Sequence, residues 1–193
     1  MKLFLYLSIP LLILDQATKW WIVDNFNAPP QRGEAYVVDP DLHNEIEVVP
    51  GFFNIVRVHN TGMAFGIGNG TNAAKIIFPI IACAAIGLII WLWRKNAFPT
   101  LLSKLAVALL IPGILGNLID RMLPGRGYVV DFLDFILPYY DKISPKSGGH
   151  FPSFNVADSC ICVAAALLII SALKGEPETE EAPQAATAPP KEQ

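Results

Sequence analysis

Gly113-Ile114-Leu115-Gly116-Asn117-Leu118-Ile119-Asp120-Arg121, running on to Val129-Val130-Asp131-Phe132, and Phe154-Asn155-Val156-Ala157-Asp158-Ser159 decide how this chain is read. Each stretch puts carboxylates, an amide and a turn-forming or helix-capping residue where an apolar run ends or begins. A charge at bilayer depth costs about 2.5–3.5 kcal/mol on insertion scales, so ionisable groups there are usually kept for a function. The reading that follows is a pair of aspartates, Asp131 and Asp158, brought together at a membrane surface to activate a water.

Composition supports a membrane setting. Of 193 residues, 53% are hydrophobic and only 16% are charged, against about 25% charged in ordinary soluble domains. Mean hydropathy is +0.43. The net charge of −3 misleads, because the tail from Gly175 carries five acids (Glu176, Glu178, Glu180, Glu181 and Glu192) against Lys191 alone. The rest of the chain is close to neutral, and no basic patch points to nucleic acid. Cys83, Cys160 and Cys162 lie in apolar runs without metal-ligand spacing. They read as small buried hydrophobes and not as a disulfide scaffold. Lys2 followed by Leu3 to Leu14 resembles the start of a cleaved signal, but no small-x-small site follows, so the segment is expected to be retained.

Four apolar segments are long enough to cross a bilayer, at about 3–23, 74–93, 100–119 and 156–173. Asp15 and Lys19 sit four apart on one helical face of the first and can pair. They either neutralise each other or face a polar site shared with other segments. Trp20 and Trp21 mark the headgroup level. Between the first two segments, Glu45-Ile46-Glu47-Val48-Val49 alternates at period two. Pro50-Gly51 and then Phe53 to His59 complete a strand–turn–strand pattern, which predicts a small sheet over about 45–66. Met122 to Phe154 reads as a loop, and Asn155 as the N-cap of the fourth helix. Four spans put both termini on one side, together with Lys2, Arg94, Lys95, Lys104 and Lys174. The positive-inside rule makes that side cytoplasmic and leaves Asp131 and Asp158 on the outer face. The expected fold is an all-α membrane protein, a four-transmembrane-helix bundle carrying a small sheet. Residues 1–174 form one domain, and 175–193 an acidic, Pro-rich cytoplasmic tail too poor in apolar surface to order itself.

Two carboxyl groups held close share one proton and titrate as a unit. One can take a proton from water while the other donates to a substrate. Other nucleophile systems fare worse. His43, His59 and His150 are scattered on outer loops, with His59 expected to bond backbone. There is no Gly-x-Ser-x-Gly, no His-Glu-x-x-His and no glycine-rich phosphate loop, so neither a metal nor a cofactor is expected. Residue types alone do not choose the pair. Asp158 ranks first because it starts an apolar span; Asp131 and Asp120 follow with little between them. Asp134 would share a face with Asp131 if that region were helical. A small transporter, or a transmembrane assembly protein, could also bury such charges. No internal repeat supports transport, and the polar motifs cluster at one face.

Five motifs then appear in one order: Asp15-Gln16-x-Thr18-Lys19; Asn60-Thr61-Gly62-x-Ala64-Phe65; Gly113-x-x-Gly116-Asn117-x-x-Asp120-Arg121; Val129-Val130-Asp131-Phe132; and Phe154-Asn155-x-Ala157-Asp158-Ser159. Over Met1 to about Lys174 the chain resembles the lipoprotein signal peptidases (signal peptidase II). The resemblance implies a four-helix aspartyl protease of the bacterial inner membrane with a periplasmic sheet cradle. It implies removal of signal peptides from prolipoproteins by a cut before a diacylglyceryl-modified cysteine. Asp131 and Asp158 become the implied catalytic dyad. Asn60, Asn117, Arg121 and Asn155 match positions lining the substrate site, and Asp15 and Lys19 match a supporting motif. Asp120 becomes structural, paired with Arg121 or another cation. The implied partners are a lipid-modified prolipoprotein and membrane lipid, with the chain acting as a monomer. The loops at Asn27 to Asn44 and Tyr139 to Phe151, and the stretch before Asp131, look expanded against the motif set.

Overall fold

The computed structural model describes residues 3–29, 38–62 and 72–174. A π-turn at Phe4–Ser8 runs without a break into helix α1, Ile9–Asn25. Strands β1, Glu45–Val49, and β2, Phe53–Asn60, follow, then α2, Asn72–Arg94, and α3, Leu101–Met122. Strand β3, Val129–Phe135, a four-residue helix α4, Tyr140–Ile143, and α5, Val156–Lys174, complete the described chain. The expected tail at 175–193 and the end of the expected sheet region, 63–66, lie outside the described residues.

Among the described residues three helices are long and apolar enough to cross a membrane: Ile76–Arg94, Leu101–Met122 and Val156–Lys174. Helix α1 differs in kind. Its buried residues are Asp15, Lys19 and Ile22, with Ser8 buried immediately before it. That spacing is a single helical stripe, so α1 turns its polar stripe inward and exposes Leu5, Ile13, Leu14, Trp20 and Trp21. Ser8 Oγ donates to the Ala108 carbonyl at 2.6 Å, tying the start of the chain to α3.

Helix α3 begins at Thr100, whose hydroxyl accepts the Ser103 N–H at 3.0 Å as an N-cap, which satisfies one of the orphan donors of the first turn. It packs most extensively on α5, and two glycines permit the approach. A Cβ at Gly113 would stand 2.6 Å from Ile161 Cγ1 and 2.8 Å from the Ala157 carbonyl oxygen. A Cβ at Gly116 would enter the Asp15 carboxylate and stand 3.0 Å from Ala157 Cβ. Small residues at such positions let helix backbones close up.

The strands form one antiparallel sheet in the order β1-β2-β3. The hairpin at Pro50-Gly51 is where the sequence places it, with Gly51 at φ +67. The third strand lies where the sequence predicts a loop. Val129 to Phe132 are buried on both faces of the strand, so the run carries no period-two alternation to betray it. Val130 and Phe132 pack with Ile22 and Phe26 in a core that fastens the sheet to the end of α1. The expected helix sharing between Asp131 and Asp134 is therefore overturned: three apart on a strand, they point to opposite faces. The cysteines also need correction. All three are free thiols, but only Cys160 is buried, while Cys83 and Cys162 lie exposed on the outward sides of their helices.

Candidate active site

Asp131 and Asp158 arrive from different elements and are joined through one residue, Asn155. Asn155 caps α5: its Oδ1 accepts the Asp158 N–H at 2.9 Å, and its own backbone N–H donates to Asp158 Oδ2 at 3.3 Å. This is a reciprocal capping box with aspartate in the acidic position. With its carbonyl oxygen held there, Asn155 directs its NH2 away from α5, to Asp131 Oδ1 at 2.7 Å. The same group lies 3.2 Å from Asn117 Oδ1 and 3.3 Å from the Val130 carbonyl. A single fully buried residue therefore touches both carboxyl groups, Asp131 through its side-chain NH2 and Asp158 through its backbone N–H.

Each carboxylate has a second amide. Asn117 Nδ2 donates to Asp158 Oδ1 at 2.7 Å. Asn60, at the end of β2, donates to Asp131 Oδ2 at 3.0 Å, while its Oδ1 accepts the Gly62 N–H. The β2–β3 register explains that meeting, since Asn60 pairs with Val129 and Val58 with Asp131. Burial, then the nearby Asp158 charge, pushes the Asp131 carboxyl up to about 7, against the opposing donors Asn60 and Asn155 and the Lys19 charge. Both causes disfavour the ionised form. A group titrating near neutral pH beside a second carboxylate is suited to acid–base work.

Behind this pair lies an ion cluster. Lys19, fully buried, places Nζ 2.9 Å from Asp15 Oδ2, 3.0 Å from Asp120 Oδ2 and 3.0 Å from Asn117 Oδ1. Asp15 Oδ1 accepts the Ala157 N–H at 2.9 Å. Both readings of the Asp15 and Lys19 pair thus hold together: they pair, and they face a polar centre built by α3 and α5. Asp120 accepts from Arg126 at 2.8 Å and from the Val130 N–H at 3.2 Å. Its cations are Lys19 and Arg126, not its sequence neighbour Arg121, because adjacent residues on a helix point in different directions.

Arg121 looks outward instead. It donates to the Asn117 carbonyl at 3.2 Å and lies 4.6 Å from the Phe78 ring centroid. Together with Phe78, Asn117, Ile114 and Ile161 it lines an apolar groove of about 200 Å³ between α2, α3 and α5. The eight site residues named from the motifs, Asp15, Lys19, Asn60, Asn117, Arg121, Asp131, Asn155 and Asp158, thus fall in one connected region.

Two contributors escaped the sequence reading. Arg126 sits over Trp20 at 4.4 Å and saturates Asp120; only its place in a Gly-rich turn marked it. His59 belongs to β2, not a loop. Its ring stacks on Tyr128 at 3.6 Å, and Nε2 accepts the Arg57 Nε–H at 3.0 Å rather than meeting backbone. Burial and the Arg57 and Arg126 charges pull its pKa down to about 4, so it stays neutral. Asp134 faces away from the pair, bonded to Asn54 at 3.1 Å and His150 at 2.8 Å beside an outer cavity of about 460 Å³.

The family model for signal peptidase (SPase) II matches residues 7–174. A lipoprotein signal peptidase of Shewanella baltica (strain OS195) is 36% identical over 180 residues, covering 92% of this chain and 90% of its own. One from Symbiobacterium thermophilum is 36% identical over 169 residues, covering 87% and 92%. Two solved structures, each described as a bacterial membrane enzyme structure obtained by the in meso method, share the fold. The one at 2.3 Å resolution has TM-score 0.67 and 29% identity over 95% of this chain and 94% of that one. The one at 1.9 Å has TM-score 0.66 and 32% identity over 90% and 94%. With nearly the whole described chain matched, and with helices apolar enough for a bilayer, this protein belongs to the signal peptidase II family, proteases of the bacterial inner membrane that remove signal peptides from prolipoproteins.

Proposed function

We propose that the chain is an aspartic endopeptidase in which Asp131 and Asp158 activate one water, cutting the prolipoprotein before its diacylglyceryl-modified cysteine. The observation that carries this is Asn155, which touches both carboxyl groups: its side-chain NH2 donates to Asp131 at 2.7 Å and its backbone N–H to Asp158 at 3.3 Å. The ionised member takes a proton from water as its oxygen bonds to the scissile carbonyl carbon. The protonated member gives its proton to the carbonyl oxygen, so a neutral gem-diol forms. On collapse the C–N bond breaks, nitrogen takes the proton held by the first carboxyl, and a gem-diol hydroxyl returns a proton to the second. The acid product and the free amine of the modified cysteine result, and the dyad is restored.

Positioning falls to the remaining residues. Arg121 and Asn117 border the apolar groove, so a signal segment or an acyl chain lying there brings its polar backbone to the dyad. Holding the reacting atoms in place supplies much of the rate, and Asn60, Asn117, Asn155 and Arg121 offer donors to a developing oxyanion. Helix α1 with its π-turn serves as the fourth span. Both termini are cytoplasmic, and the sheet and dyad lie at the outer face. Residues 1–174 act as one monomeric domain in contact with membrane lipid, with 175–193 a cytoplasmic tail.

The test is cleavage of purified prolipoprotein with and without its diacylglyceryl group. Product mass should place the cut before the modified cysteine, and the unmodified substrate should react at least tenfold more slowly. Equal rates on both, or a cut elsewhere, would overturn the substrate assignment.

A further inference from the structure

An ammonium group has three N–H donors and no lone pair. Two of those on Lys19 are directed at Asp15 and Asp120, at 2.9 and 3.0 Å. With Arg126 at 2.8 Å from Asp120, those two cations and two carboxylates balance. The third N–H of Lys19 has one remaining acceptor within reach, Asn117 Oδ1 at 3.0 Å. An amide can offer either end to a neighbour, and here the buried cation decides which, joined by the Asn155 NH2 at 3.2 Å from the same oxygen. The carbonyl of Asn117 is held toward Lys19, so its NH2 must face Asp158 Oδ1 at 2.7 Å. Asp158 Oδ2 meets a backbone N–H, a group that can only donate. Both oxygens of Asp158 are thereby faced by fixed donors, which favours the ionised form.

We infer that Lys19 is a positioning residue of the reaction: by locking the orientation of Asn117 it keeps Asp158 as the ionised, water-activating carboxylate and leaves the shared proton on Asp131. The inference rests on the dyad reading above and deepens it, turning an interchangeable pair into an acid and a base. Asp131 also receives two amide donors, from Asn60 and Asn155, but among the described residues the carbonyl end of each meets a backbone N–H, of Gly62 and Asp158, and not a cation. Among the described residues, the charged groups that face Asp158 are Asp15 and Lys19 from α1, Arg121 from α3 and Asp131 from β3. Of these, Lys19 is the cation that reaches the Asp158 carboxyl group through a bonded side-chain amide, that of Asn117.

The experiment is the pH profile of kcat/KM for Lys19→Met, Asn117→Ala and the double variant in the otherwise intact protein. Each single change should move the acidic limb to higher pH by about one unit, because Asp158 then protonates more readily. The double variant should move it no further, since both changes cut one chain of bonds. An acidic limb that ignores Lys19→Met, or shifts that add in the double variant, would overturn the inference. A lysine that merely supports the fold would lower thermal stability without moving the limb. Should Lys19→Met fail to accumulate as folded protein, infrared spectra of dyad variants near pH 6 decide the matter. The protonated-carboxyl band should survive Asp158→Asn and vanish in Asp131→Asn; the reverse would overturn it. Failure of the dyad reading is distinguishable, because Asp131→Asn or Asp158→Asn would then remain fully active.

Discussion

Of three aspartates near the ends of apolar runs, Asp158 ranks first by its place at the start of a span, but residue type does not separate Asp131 from Asp120. Their surroundings separate them. Asp120 is saturated by Lys19 and Arg126, whereas Asp131 and Asp158 meet amide donors only. The partner of Asp120 was not legible, because Arg121 is next to it in sequence but a third of a turn away on the helix. The Asp131 carboxyl near 7 gives a pH prediction with a definite sign. The pair needs one proton, so kcat/KM should fall about tenfold per pH unit above a limb near 7, a value belonging to the pair. Asn60→Ala removes a donor that favours the ionised Asp131, so its basic limb should move to higher pH; a move to lower pH would contradict the assigned contact. Linkage gives the matching stability effect. A carboxyl raised on folding stabilises most fully below its unfolded value of about 3.9, and that contribution is lost as pH rises through 7. Asp131→Asn should therefore flatten the decline in thermal stability over that range.

Helices were legible because their apolar runs have the length a bilayer demands, and the ends found at Arg94, Met122 and Lys174 fall within a few residues of those expected. Strand β3 was not, because burial on both sides removes the alternation that marked β1 and β2. Yet β3 carries Asp131, and its register with β2 delivers Asn60. Two substitutions probe how these elements are fixed. Asp120→Asn leaves Lys19 and Arg126 buried with one fewer countercharge and should cost about 3–5 kcal/mol, read as a lower unfolding temperature. Residual activity per folded molecule should stay measurable; a stable but inactive variant would give Asp120 a part in the chemistry. Gly116→Ala puts a methyl against the Asp15 carboxylate and Ala157. Forcing α3 from its neighbours should cost about 1–3 kcal/mol, and unchanged stability would argue against so close an approach.

At the scale of the molecule, a polar seam runs from Asp15 and Lys19 through Asn117 to Asp158, Asn155, Asp131 and Asn60. It crosses α1, α3, α5 and the sheet, so the chemistry belongs to the packing of the whole fold and to no single segment. The five motifs announced its members in advance; what they could not convey is which amide faces which carboxylate, since that depends on the α3–α5 contact and on a strand hidden as loop. The seam is testable as a unit by cleavage of lipid-modified prolipoprotein with purified Asp131→Asn and Asp158→Asn proteins, each first shown to unfold cooperatively. The account predicts that each loses at least about 100-fold in kcat, the lower range for removal of an acid–base group, with the fold intact. Full activity in either folded variant would contradict it.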